Sequence, residues 1–166
     1  MAEVLLIGKA DLQSYTALNG NVDTDKVVQF IKIAQDIWIL QYTGTDLLNK
    51  IKTDISASTL SGNYLTLVNT YLKPMLIHFT MVEYLPFAAY SISNKGLYKH
   101  SSENAEIVSK EEVDYLIEKE RRIAENYAQR FLDYMCVNAS LFTEYTSNSS
   151  GDVYPQNGNY LSNWYL

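Results

Sequence analysis

The sequence has 166 residues, a length typical of one domain that can bury a sufficient core without disulfides or metals. Its 13 basic and 19 acidic residues give a net charge of −6, which argues against tight, general binding of nucleic-acid phosphates. The single cysteine, Cys136, excludes an internal disulfide and a cysteine-based metal cage, and it indicates a reducing compartment.

The beginning of the chain holds one short apolar run, Val4–Ile7, after an acidic residue. It lacks the basic and long apolar regions of a signal peptide, and no apolar run approaches the roughly 18 residues of a membrane span. We therefore predict synthesis in a cytoplasm and no membrane partner. Residues 1–22 are interpreted as a lead-in, in which Val4–Ile7 form a short strand or a hydrophobic arm.

Two amphipathic helices are predicted next. The first begins at Asp23-Thr24, where an oxygen-bearing side chain can cap the free amides, and it ends at Gly44. Thr45 can cap a second, shorter helix with an apolar stripe formed by Leu47, Leu48, Ile51 and Ile55. The composition of residues 56–62 is that of a loop.

The segment from Asn63 to Tyr90 is predicted to be the central helix. It carries two charged side chains, Lys73 and Glu83, and its apolar residues occur all round the helix. A helix of this kind is buried on several sides. Pro74 is expected to kink or divide it, and Pro86 to end it or to add a second bend.

A small β-hairpin is predicted at about residues 91–99, with its turn at Asn94-Lys95-Gly96. After a polar loop, Ser109 and Glu112 form a capping box that opens a long amphipathic helix ending near Asn138. Glu118 lies four residues before Arg122 and is expected to pair with it. The predicted fold is thus mainly α, a bundle of about four helices with a small hairpin.

The tail from Thr143 to Leu166 has no helical or strand periodicity. From Tyr145 onward it carries one charged side chain, Asp152, among aromatic and small polar residues. We therefore predict a helical domain over residues 1–142 and an extended arm over residues 143–166, whose deletion leaves the bundle folded. The arm's aromatic residues are the candidate interface residues: Tyr145, Tyr154, Tyr160, Trp164 and Tyr165.

The sequence predicts no catalytic residue, metal site or cofactor. No phosphate-binding glycine loop occurs, and His78 and His100 lack metal-ligand spacing. Three interpretations of Glu83 remain open: a catalytic carboxylate with a raised pKa, a partner of a basic residue from another helix or subunit, or a residue at an exposed helix edge. An enzyme that uses Glu83 and His78 is the least favoured hypothesis. An interaction or structural protein is favoured instead.

The order of elements resembles a known family. The features are Ala34-Gln35 and Trp38 in the first helix, the hairpin sequence Ile92–Leu97, and the segment Ala128–Met135 in the last helix. Over about residues 20–140 the chain resembles the head–tail connector proteins of tailed bacteriophages, also called adaptor or head-completion proteins. The versions in phages of the Bacteroides and crAss-like type are the most similar.

The resemblance implies a structural virion protein without enzymatic activity, assembled in the host cytoplasm and located at the head–tail junction. Subunits of such a protein form a ring, expected to be twelve-fold, below the portal protein. The ring extends a channel that genomic DNA passes without sequence-specific binding, and the tail or a second adaptor ring docks on it. The resemblance also implies that the arm contacts the portal or a neighbouring subunit. It further implies that the hairpin contacts the next ring or faces the channel. The candidate residues for this contact are Asn94, Lys95, Gly96 and Leu97.

A second hypothesis belongs to a different class. A small, cytoplasmic helical module that binds a partner or regulates it, as a monomer or dimer, would show the same composition and periodicity. The two hypotheses differ in assembly, because a closed ring is built from heterologous contacts and needs two different patches on each subunit.

Overall fold

The computed structural model describes the backbone of residues 3–18, 24–88, 90–93, 96–99 and 109–156. Over these residues the chain is mainly helical, as predicted. The α-helices are α1 (Lys9–Tyr15), α2 (Thr24–Ala34), α3 (Leu40–Ser56), α4 (Gly62–Leu67), α5 (Lys73–Ala88), α6 (Lys110–Asn138) and α7 (Thr143–Thr146). A first π-helical segment, Gln35–Ile39, joins α2 to α3, and a second, Val68–Leu72, joins α4 to α5. A 3-10 turn, Ala139–Leu141, precedes α7.

Two four-residue strands lie between α5 and α6. The strands β1 (Tyr90–Ser93) and β2 (Gly96–Lys99) pair antiparallel, with Tyr90 opposite Lys99 and Ser93 opposite Gly96. Asn94 and Lys95, the first two residues of the predicted turn, lie outside the described residues, and so does His100.

The helix α5 is the centre of the bundle. It packs against α2 and α6, and its first half also contacts α1. Because neighbours surround it, consecutive side chains are buried, as the sequence predicts: Met75, Leu76, Ile77, Phe79, Thr80, Met81 and Val82. The second π-helical segment ends two residues before Pro74 and forms a bulge at the start of α5. The helix α5 itself ends two residues after Pro86.

The predicted break at Gly44 is present, although the helical run continues beyond it to Ser56. Gly44 has φ 73° and ψ 165°, values that L-residues rarely adopt. A Cβ atom at this position would also lie 2.6 Å from Cδ of Pro155. Glycine is therefore required at position 44 for two reasons: the backbone conformation and the close approach of Pro155.

The lead-in contains a helix, α1, that the sequence analysis did not predict. The preceding residues match the interpretation as a hydrophobic arm, because Leu6 and Ile7 are buried. The arm is fastened by Gln35, which lies wholly inside the protein. Its amide accepts a hydrogen bond from the N–H of Leu6 and donates one to the carbonyl of Val4. These two bonds position the N-terminal arm across the start of the first π-helical segment.

The helix α6 has the predicted start and end. Ser109 caps it and forms a capping box with Glu112, as predicted. One predicted side-chain pair is wrong: Glu118 pairs with Arg121, at 3.7 Å between Oε1 and Nε, instead of with Arg122. Residues three apart are neighbours on a helix as well as residues four apart, so the spacing alone could not choose between the two arginines.

The domain does not end at residue 142, and this corrects the predicted boundary. Phe142 is buried, and Tyr145 in α7 is 5% exposed, with its ring against Phe131. The following residues, up to 156, run back along α3 and are hydrogen-bonded to it. Residues 143–156 therefore belong to the helical domain, and only residues 157–166 of the predicted arm lie outside the described residues.

Candidate interaction surfaces of the bundle

The structure separates the predicted interface residues into three groups. Tyr145 packs inside the domain, which corrects the expectation that it faces outward, whereas the Tyr154 side chain is 49% exposed. The remaining three candidates, Tyr160, Trp164 and Tyr165, lie outside the described residues. Of the hairpin candidates, Gly96 and Leu97 are in β2.

Large exposed apolar side chains lie where α5 ends and where α6 begins. The two helices are antiparallel, because His78 contacts both Glu120 and Tyr127 while Tyr71 stacks on Tyr134. The last turn of α5 and the first turns of α6 therefore lie at the same end of the bundle, next to β1 and β2. We call this the strand-end surface, formed by Phe87, Tyr115 and Leu116, which are 54%, 62% and 45% exposed.

The strand-end surface combines apolar and acidic groups. Next to Tyr115 and Leu116 lies an open hollow of about 730 Å³, lined among the described residues also by Ser109, Glu111 and Glu112. Hydrogen bonds from the backbone N–H and the hydroxyl of Ser109 lower the pKa of the Glu112 carboxyl. This end of the bundle is therefore negatively charged around its apolar side chains at neutral pH.

A second group of exposed apolar side chains lies at the other end of α6. Val137 and Leu141, four residues apart, are 81% and 46% exposed, and Tyr154 lies in the nearby C-terminal segment. Val153 is hydrogen-bonded to Thr45 of α3, and α3 packs against α7, which follows the end of α6, so the segment that contains Tyr154 lies at this end of the domain. We call Val137, Leu141 and Tyr154 the C-end surface. The two surfaces differ in sequence and in position.

The first part of the C-terminal segment is held by Asp46. Its carboxylate accepts hydrogen bonds from the hydroxyl and the N–H of Ser149, from the hydroxyl of Ser147 and from the N–H of Ser150. The side-chain hydroxyls of Ser150, Ser149 and Ser147, in that order, hold the pKa of the Asp46 carboxyl well below its usual range. Two backbone bonds extend the attachment, from Thr45 N–H to Val153 O and from Gln156 N–H to Gln41 O.

The two residues of the enzyme hypothesis have different partners. Glu83 accepts a hydrogen bond of 2.9 Å from the indole N–H of Trp38, whose ring is stacked on Phe79 with centroids 4.4 Å apart. His78 instead contacts Glu120, at 2.7 Å between Nδ1 and Oε2. None of the three readings of Glu83 named Trp38, because an indole donor 45 residues away leaves no local sequence signal.

Gln35, Trp38 and Asp46 are further positioning residues that the sequence did not identify as such. Gln35 and Trp38 lie in the first π-helical segment, and such segments frequently occur at functional positions. Within the described part of the chain, no group of three or more His, Cys, Asp or Glu side chains could hold a metal ion. None of the described helices is long and apolar enough to cross a membrane.

These observations define a mainly helical domain with two exposed apolar surfaces. Residues 39–155 match the model of a protein family described as "Family of unknown function (DUF6712)". The match covers most of the chain and spans α3 to the C-terminal segment, so the chain belongs to this family. No curated protein and no solved structure matches the chain.

Proposed function

We propose that the protein is a subunit of the ring that joins head and tail in a tailed bacteriophage. The observation that carries this proposal is the pair of different apolar surfaces at opposite ends of α6. A closed cyclic ring needs such a pair, because each subunit contacts its two neighbours through different patches. In this ring the strand-end surface of one subunit packs against the C-end surface of the next.

The exposure of these side chains supports an interface. Tyr115 and Leu116 are adjacent, and Phe87 lies at the end of the antiparallel partner helix, so apolar area is concentrated at one end of the bundle. Contiguous exposed apolar patches on soluble proteins mark interaction sites more often than isolated apolar residues do. Aromatic residues in particular are enriched at the centres of protein interfaces.

The two strands give the proposed ring a projecting element. They emerge between α5 and α6 beside the strand-end surface, and they form a hairpin that contacts the next ring or the DNA channel in this proposal. The chain's net charge of −6 suits a wall along which DNA slides, because phosphates bind weakly to an acidic surface. Residues 157–166 are proposed to reach the portal or a neighbouring subunit.

The ring is tested with two variants that each block one surface. Leu116→Asp and Val137→Asp place a charge in the strand-end and C-end surfaces, and Asn63→Asp on α4 is the control. Each variant alone should fail to form rings on portal particles in electron micrographs. When the two variants are mixed, the intact C-end surface of Leu116→Asp can pack against the intact strand-end surface of Val137→Asp. The mixture should therefore form heterodimers. Rings of normal size from either single variant would contradict the proposed contact.

A further inference from the structure

A groove away from both surfaces lies where α1 packs beside α5. Its volume is about 420 Å³, within the range of roughly 300–1,000 Å³ that small-molecule sites have. Its lining joins an apolar floor, two tyrosine rings and several polar groups: Asp11, Tyr15, Asn69, Lys73, Pro74, Ile77, His78 and Tyr127. Nothing in the proposed ring contacts requires such a groove.

Lys73 is the first feature that points to a ligand. It is half-buried, and among the described residues no carboxylate lies within 4 Å of its ammonium group. Asp11 lines the same groove, and its carboxylate accepts a hydrogen bond of 2.8 Å from the N–H of Gly8 at the start of α1. Because no carboxylate of the described residues contacts it, the Lys73 ammonium group can donate charge-assisted hydrogen bonds to an anion.

The wall formed by His78 and Tyr127 is rigid. The His78 ring is fixed by Glu120 and stacked on Tyr127, with ring planes 7° apart and centroids 5.6 Å apart. The guanidinium group of Arg130 lies 5.5 Å from the centroid of the Tyr127 ring and restrains it further. A wall that neighbouring side chains hold in place loses little entropy when a ligand binds.

Aromatic and apolar groups supply the rest of the groove. The Tyr15 side chain on α1 is 69% exposed and therefore has a ring face free to stack on a planar ligand. Pro74 and Ile77 form the apolar floor. The combination of flat apolar contacts with an ammonium group that no described carboxylate contacts matches a planar ring system that carries an anionic group.

We propose that this groove binds a free nucleoside monophosphate, with its phosphate at Lys73 and its base against Tyr15. Inorganic phosphate would use the ammonium group and leave the apolar floor and Tyr15 without a partner. A nucleoside without phosphate would leave Lys73 unneutralised. Both parts of the ligand are therefore needed for full affinity.

The proposal is tested by titrating the whole chain with deoxyadenosine monophosphate and following amide NMR signals. Signals of residues lining the groove should shift, and binding should be at least about tenfold tighter than that of inorganic phosphate or deoxyadenosine. Shifts confined to other parts of the chain would overturn the proposal. Equal affinity for phosphate alone would overturn the role assigned to the aromatic wall and with it the nucleotide assignment.

Variants assign the contacts. Lys73→Met should weaken binding of the nucleotide at least about tenfold, whereas Lys119→Met, which removes a charge from an exposed position of α6 outside the groove, should not change it. Tyr15→Ala changes an exposed side chain, so it tests the stacking contact even if Lys73→Met fails to fold. Unchanged affinity in Tyr15→Ala, or in a folded Lys73→Met protein, would overturn the proposal.

Discussion

The side chain of Gln35 holds the backbone of Leu6 by a buried hydrogen bond of 2.9 Å, and the same amide donates to the carbonyl of Val4. One side chain thus satisfies both a donor and an acceptor of an arm that, among the described residues, pairs with no strand. Buried backbone groups need such partners, because burial without a hydrogen bond costs about 1–3 kcal/mol per group. The position of the N-terminal arm therefore depends on a residue in the first π-helical segment.

Gln35→Ala should lower the free energy of unfolding by about 2–4 kcal/mol, since it leaves two polar groups of the arm without partners. Urea denaturation measures this loss. Gln129→Ala removes an exposed amide that bonds to Asp133 on α6, and its effect should stay within about 0.5 kcal/mol. Equal effects of the two substitutions would show that the arm is not held by Gln35.

Gly44→Ala should destabilise the domain by about 1–3 kcal/mol more than Gly62→Ala. Both glycines have a positive φ, of 73° and 57°, so both substitutions strain the backbone. Only the added Cβ at Gly44 meets Pro155, whereas that at Gly62 meets open space among the described residues. Thermal unfolding of the two variants measures the difference. Equal losses would mean that the C-terminal segment is not seated on Gly44.

The attachment of the C-terminal segment should depend on pH through Asp46. The pKa of this carboxyl is lowered in the folded protein, so its stabilising effect is fully present above the unfolded pKa of about 4 and is lost progressively as the pH falls from there through the lowered pKa of the folded state. The protection of the Ser149 and Ser150 amides against hydrogen exchange, expressed relative to the intrinsic exchange rate at each pH, should therefore fall on acidification.

Asp46→Asn separates this effect from the titration of other acids. In that variant, the protection of the two serine amides should already be low at neutral pH and should change less on acidification. Asp133→Asn, on the exposed side of α6, is the control and should behave like the original chain. Slow, unchanged exchange in the Asp46→Asn protein at pH 7 would contradict the assignment.

Tyr145→Ala should cost about 3–5 kcal/mol of stability, because the ring is buried against Phe131. Tyr154→Ala changes a half-exposed side chain and should cost less than about 1 kcal/mol. Deleting residues 157–166 should leave the melting temperature unchanged, whereas deleting residues 143–166 should lower it strongly. Similar melting temperatures for the two deletions would show that α7 and the C-terminal segment do not stabilise the domain.

The sequence predicts features that depend on local periodicity and capping. The apolar surface all round α5 and the capping box of α6 follow directly from residue spacing, and both are confirmed. The break at Gly44 is also a local signal. The helix α1 has seven residues and one fully buried apolar side chain, Leu12, so its amphipathic pattern is too short to recognise.

The features that the sequence misses depend on contacts between distant residues. Tyr145 looks like part of a polar tail, because its partner Phe131 is on another helix and nothing near it in sequence is periodic. From the sequence, Asp46 is an acidic residue in the first turn of a predicted helix, with no local sign of further hydrogen bonds. Its serine partners lie about 100 residues away. The exposed residues of the strand-end surface likewise become visible only when α5 and α6 are packed together.

The most direct test of the proposed ring is the mass of the assembly that the chain forms with portal particles, measured by native mass spectrometry. The proposal predicts a closed ring of subunits bound to each portal, with twelve as the expected number, and loss of this ring with Leu116→Asp. A chain that stays a monomer or dimer and never binds portal particles would contradict the proposal and favour a small partner-binding module.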